Sequence, residues 1–184
     1  VTAPRAAGSV GAPTPRSLTP LSAFAGANED AVPTGARGRV VVLDHGDSVL
    51  AITIERSGDE PVDAVAACGA LSEGFGCIAS RAAKIVLLRG LDVLSSDTPD
   101  SLASAALQNL ARAVRDAAVP VVAVLSGENG RAATDIAAAC DLTLASADGS
   151  FIWNNARCAG GALRRQGFSG PVVAAAEIAN LDPP

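Results

Sequence analysis

The residues with the strongest case for chemistry lie between Pro120 and Ser146. A β-branched apolar run, Val121 to Leu125, leads into a turn cluster of Ser126, Gly127, Asn129 and Gly130. A small-residue segment with helical character, Arg131 to Ala139, follows, and then a second strand-like run, Asp141 to Ala145. A helix that starts from a glycine-containing turn leaves its first backbone N–H groups unpaired. Together with the positive end of the helix dipole, those groups suit an anion or an oxygen on which negative charge develops.

Other reactive groups have a weaker claim. His45 is the sole imidazole and so tempts as a general base, but it falls in the polar turn His45-Gly46-Asp47, where a solvent-exposed residue is expected. Cys68, Cys77, Cys140 and Cys158 have no metal-ligand spacing, and with a single histidine no zinc site, and no metal, is expected. Cys140, at the Ala-rich end of the helical segment, reads as a buried free thiol. Trp153 either lines a ligand pocket or packs against the core.

These groups need a scaffold, and its elements can be read in order. Residues 1–38 repeat Pro, Gly, Ala, Ser and Thr without periodicity and are expected to form a flexible extension. Arg39 to Asp44 and Ser48 to Glu55 read as a hairpin across a short Gly-containing turn. An Ala-rich helix is expected from Val62 to Glu73, starting near Asp59, Glu60 and Pro61 and broken by glycines 69, 74 and 76. Lys84 to Arg89 is the next strand. A helix from Ser101 to Ala118, capped by Asp100, carries an apolar stripe at 102, 106, 110, 114 and 118 until Pro120 closes it. Phe151 to Trp153 is a short strand, a Gly-rich stretch runs to Gly170, and Val172 to Ile178 is a short helix. Strands alternating with helices at this spacing imply parallel βαβ units in an α/β fold.

Composition narrows the function classes. The 184 residues carry a formal charge of −5, with a pI near 4.8 and a mean hydropathy of +0.32. That balance argues against nucleic acid or an anionic membrane as the main partner. No apolar run approaches the roughly 20 residues of a spanning helix, and no h-region follows the N-terminal arginines, so a cytoplasmic setting is expected.

The segment P-V-V-A-V-L-S-G, followed by A-A-A-C-D-L-T-L-A-S-A-D-G-S-F, resembles the P-x-I-A-A-V-N-G and A-L-A-C-D-x-x-I-A-x-x-x-A-x-F motifs of the crotonase (enoyl-CoA hydratase/isomerase) superfamily. The entry hairpin D-H-G-D-S-V-L-A-I-T-I-E-R resembles the family's opening, and the likeness runs from about Arg39 to Gly167. It implies an α/β crotonase-like ββα-spiral core with parallel strands, lacking most of the usual C-terminal helices. The expected organisation is an extension over 1–38, a crotonase-like domain over 39–170, and a short helical end and tail over 171–184.

The resemblance also implies an acyl-CoA or acyl-carrier-protein thioester as substrate, with CoA or phosphopantetheine as carrier and no other cofactor. Two backbone amides hold the enolate oxygen in that family. Counting back from Cys140-Asp141 places one on Ala132, beside an Arg131 that stands where a small residue is usual. The other falls on Arg89 or Gly90, in a Leu88-Arg89-Gly90-Leu91-Asp92 loop contracted from F-x-A-G-x-D-L. Of two family carboxylates, one maps to Asp135 and the other to Asn155, which cannot exchange protons at neutral pH. The resemblance therefore implies an isomerase, decarboxylase or lyase relying on enolate stabilisation rather than a two-carboxylate hydratase. Asp135 also has a plain structural reading, as an acid complementing a helix N-terminus.

Abundant Ala and Arg with Lys84 as the one lysine fit a GC-rich bacterial source, in which such proteins serve polyketide as well as fatty-acid metabolism. Surface that the family's C-terminal helices would bury is expected to be either exposed or covered by a partner, a homo-trimer or a larger crotonase-like protein. The rival reading is a catalytically inactive binding or assembly subunit. A third is the related serine-peptidase branch, with Ser126 or Ser146 as nucleophile and His45 as base.

Overall fold

The computed structural model describes residues 29–33, 38–44, 48–78, 81–95, 100–154 and 156–181. The expected hairpin is present: β2 (Gly38–Asp44) pairs antiparallel with β3 (Val49–Arg56). Ahead of it, β1 (Glu29–Pro33) pairs antiparallel with β2. Five residues of the stretch expected to be a flexible extension thus belong to the sheet. Local composition concealed them because Pro33, Thr34 and Gly35 read as extension, although β2 begins only five residues on and supplies the edge they pair with. Residues 1–28 lie outside the described residues, as does His45.

The helix α1 (Ala64–Ile78) starts later and ends later than its sequence pattern suggests. The Asp63 carboxylate, not the Asp59–Pro61 group, caps it by accepting the Ala66 N–H at 2.7 Å. It then continues through Gly69, Gly74 and Gly76. A helical glycine costs about 1 kcal/mol relative to alanine. Burying Leu71, Phe75 and Ile78 in the core contributes roughly 1.5–3 kcal/mol for each side chain. Burial wins, and the glycines do not break the helix.

β4 (Ile85–Arg89) is followed by a 3-10 turn (Leu91–Val93) and then α2 (Asp100–Asp116). Leu110 and Val114 of the expected stripe are buried against the core. The side chains of Asp100 and Leu102 lie outside the described residues. α2 stops short of Ala118, which adopts a left-handed φ of 55° as the chain bends toward Pro120. Next come β5 (Val121–Leu125), β6 (Glu128–Asn129), α3 (Arg131–Ala138) and β7 (Leu142–Ser146). They are followed by β8 (Ser150–Trp153), β9 (Ala156–Ala159) and a 3-10 helix (Gly160–Gln166). The end expected to be one helix over Val172 to Ile178 instead divides into β10 (Val172–Val173) and α4 (Ala175–Ala179). Val172 and Val173 are drawn into pairing with Ala145 and Ser146, leaving only the residues beyond them to coil.

Seven strands form the main sheet in the order β1-β2-β3-β4-β5-β7-β10, and β6-β8-β9 form a second, smaller sheet. From β3 to β10 every neighbouring pair in the main sheet is parallel. The core gathers Val40, Ile52, Leu71, Leu88, Leu110 and Ile136, which joins the hairpin, α1, α2 and α3 in one apolar cluster. This is the expected α/β architecture, and it brings the ends of β4 and β5 side by side.

Candidate active site

The chain leaves β4 through Gly90, at φ 72°. A Cβ there would lie 2.1 Å from the Ile54 carbonyl oxygen, so only glycine fits this turn. The 3-10 turn that follows is anchored on both sides. Leu91 is buried, while Val62 donates to Val93 O at 2.9 Å and accepts from the Ser95 N–H at 2.7 Å. The contracted loop is therefore a fixed turn. Its first amides, like those of any helical turn, have no partner within the turn itself.

The chain leaves β5 through Ser126 and Gly127, the latter at φ 66°. A Cβ on Gly127 would come within 3.6 Å of Asp92 Oδ2, so this second turn lies beside the first. Asn129, buried to 1% exposure, closes it by donating from Nδ2 to Ser126 O at 2.7 Å. Gly130 then opens α3 with no side-chain cap. The first intrahelical bond in this turn is Thr134 N to Gly130 O, at 3.3 Å. The amides of Arg131, Ala132 and Ala133 precede it and form the positive end of the helix.

One turn further along α3, Asp135 lies 3.5 Å from Arg131 Nε, with 46% of its side chain exposed. Both residues line a cavity of about 300 Å³, together with Thr134 from α3, Ile152 and Trp153 from β8, and Asn154. Thr134 Oγ1 lies 2.9 Å from Arg131 O and 2.7 Å from Ile152 O, which fixes α3 against β8 and sets the cavity's width. No pattern in the sequence singles out Thr134, because its partner across the sheet is eighteen residues away. Trp153 satisfies both of its expected readings: it walls the cavity and packs edge-to-face on Phe168, with ring centroids 5.2 Å apart. Asn154 holds a loop, at φ 49°, by donating to Gln166 O at 3.1 Å. Asn155 lies outside the described residues.

The structure thus brings Asp135 and Arg131 to one cavity, with Ala132 at the head of the same helix. Ala132, Arg89 and Gly90 do not line that cavity. Arg89 is the last residue of the β3–β4 ladder, opposite Thr53, and Gly90 lies just beyond it. The Arg89 side chain, 8% exposed, donates to the carbonyl of Leu181.

Ser146 is buried to 1% exposure and donates to the Asp148 carboxylate, a poor position for a nucleophile. The thiols of Cys68, Cys140 and Cys158 are free. Burial, aided by the Asp63 charge, raises Cys68 to about 11. Burial, aided by Asp141, raises Cys140 to about 12. Cys140 is partly rather than fully buried, with its Sγ 3.5 Å from Ile136 O. These two thiols are packing groups, not nucleophiles.

Adjacent turns with helix-start amides, and a carboxylate in a cavity of mixed polar and apolar lining, are groups that can stabilise an oxyanion and move one proton. Neither a known family's sequence profile nor a curated protein sequence matches this chain. Solved structures do. An enoyl-CoA hydratase/isomerase family member superposes with a TM-score of 0.62 at 16% identity, over 78% of this chain and 72% of the other. A structure from a dehydratase/decarboxylase enzyme couple involved in polyketide beta-branching gives 0.62 at 13% identity, over 84% and 76%. Methylmalonyl-CoA decarboxylase gives 0.62 at 14% identity, over 79% and 70%. The fold is the crotonase fold, that of the enoyl-CoA hydratase/isomerase structures.

Proposed function

We propose that this protein acts on an acyl thioester, carried on CoA or on carrier-protein phosphopantetheine, by stabilising its enolate. The observation that carries the reading is the side-by-side placement of β4 and β5 in parallel register, which leaves the Asp92 turn and the Gly127 turn as neighbours. That pairing sets the amides after β4 and those following β5 at neighbouring strand ends. Ala132 is the donor on the α3 side. On the β4 side Gly90 is favoured over Arg89, because it lies past the ladder. Asp135 is the single acid or base.

In isomerisation, the Asp135 carboxylate takes the α-proton, the electron pair passes to the thioester oxygen held by the amides, and the proton returns at the γ-carbon. In decarboxylation, the bond to the carboxylate breaks, CO2 leaves, the bonding pair passes to the same oxygen, and as that pair returns the α-carbon takes up a proton delivered through Asp135. The resemblance supports polyketide or fatty-acid metabolism, a cytoplasmic setting, and a homo-trimer or a larger crotonase-like partner. Among the described residues no helix is long and apolar enough to cross a membrane.

The test is turnover of a panel of enoyl- and malonyl-type thioesters by the wild type and by Asp135→Asn. Turnover that Asp135→Asn abolishes supports the reading, and turnover unchanged by it removes the assigned role. The second reading is a non-catalytic binding subunit. It is favoured by the placement of Asp135 beside the Arg131 guanidinium with nearly half its side chain in water, a setting for a solvated surface ion pair. A thermal shift with thioesters but no turnover would select it.

A further inference from the structure

The parallel strands place their last residues, Arg89 of β4, Leu125 of β5, Ser146 of β7 and Val173 of β10, along one edge of the sheet. β10 stands three strand positions from β4, about 14 Å at the usual strand spacing. Yet Leu181, only eight residues beyond Val173, accepts a hydrogen bond from the Arg89 guanidinium. The path from Val173 to Leu181 therefore runs back along that edge, past the ends of β7 and β5. These are the strand ends where ligands bind in open α/β sheets.

We propose that Arg89 is a positioning residue: by holding Leu181 it straps residues 174–181 along the carboxyl edge of the sheet, so that this segment and the Gly90 turn order together. The strap has few other attachments. Ile178 is the buried residue of α4, and the residues around it are exposed. Arg89, by contrast, is drawn out of water, flanked by the buried Leu88 and Leu91. A guanidinium in such a place requires carbonyl or carboxylate partners to offset its lost hydration. Release of Leu181 would remove one of them and pull the side chain toward solvent. The next residue, Gly90, is wedged against Ile54 O and leads directly into the turn that lies beside Gly127. Motion at Arg89 consequently reaches both turns of the candidate site. The proposal depends on the thioester reading only for what the Gly90 turn would bind.

Hydrogen exchange on the full chain tests it without any substrate. In Arg89→Leu, exchange over residues 174–181 should rise at least about tenfold while α2 stays protected. Arg89→Lys, which keeps the charge and a donor, should recover part of that protection. In Ile178→Ala, which loosens α4 without touching Arg89, residues 90–95 should also exchange faster. Wild-type rates over 174–181 in Arg89→Leu, or over 90–95 in Ile178→Ala, would overturn the proposal. If Arg89→Leu does not fold, Ile178→Ala decides alone. A protein inactive toward every thioester could still pass this test, and an active one could fail it.

Discussion

Asp141 holds Val121 at both ends of its backbone unit. Its N–H donates to the Val121 carbonyl at 3.0 Å, and its carboxylate accepts the Val121 N–H at 2.8 Å. The pair locks the start of β5 to the residue before β7, fixing the register of the two strands between which α3 is formed. A hydrogen bond to a charged group contributes about 1.5–3 kcal/mol, so Asp141→Ala should lose roughly that much. Asp141→Asn, whose amide oxygen still accepts, should lose less. Urea unfolding followed by Trp153 fluorescence measures both, and an Asp141→Ala midpoint equal to wild type would show that the pair contributes nothing.

Two glycines should respond in opposite directions to alanine. At Gly90 the left-handed φ and the 2.1 Å approach to Ile54 O leave no room, so Gly90→Ala should cost about 3 kcal/mol or more, or prevent folding. At Gly69, inside α1, an added Cβ meets nothing within 4 Å, and Gly69→Ala should stabilise by about 0.5–1 kcal/mol. Thermal melts of the two variants provide the comparison.

The Arg131–Asp135 pair is exposed on both sides and places its cation at the helix N-terminus, the unfavourable end of the dipole. Arg131→Ala should therefore change stability by less than about 0.5 kcal/mol in either direction. Any large effect of that variant on thioester affinity, read by quenching of Trp153 in the cavity wall, would then reflect the ligand and not the fold.

Cys68 and Cys140 should weaken the fold in alkali. Each is raised from an ordinary 9.0, to about 11 and about 12. The folded state thus keeps protons that the unfolded chain gives up above pH 9. Their contribution is complete below pH 9 and is lost as pH rises through 11 to 12, by about 3 kcal/mol for Cys68 and about 4 kcal/mol for Cys140 at most. Unfolding midpoints at pH 8 and pH 11, in wild type and Cys68→Ala, should diverge less in the variant. At pH 8, alkylation followed by peptide mapping should find both thiols slow to react.

Much of the fold was legible because its signals are local. Val121 to Leu125 could hardly be anything but a buried strand, and the residues from Arg131 onward carry the spacing of a short helix behind a glycine turn. Arg89-Gly90 also stood out, since a glycine closing an apolar run marks a turn. The misses share one cause. α1 ran through three glycines because its apolar residues met a sheet assembled from elsewhere in the chain. Glu29–Pro33 became a strand because β2 offered a free edge.

The sequence by itself determined the strand–turn–helix around Ala132, the carboxylate one turn beyond it, and the α/β class. Backbone propensity and apolar periodicity act within a few residues, and those features need nothing more. Only the tertiary structure decided that Gly127 would lie beside Asp92, that Thr134 would clamp α3 to β8 and so shape the cavity, and that Arg89 would reach Leu181. Each of those pairings depends on strand order and register, set by packing between segments far apart in the chain, and no local pattern encodes it.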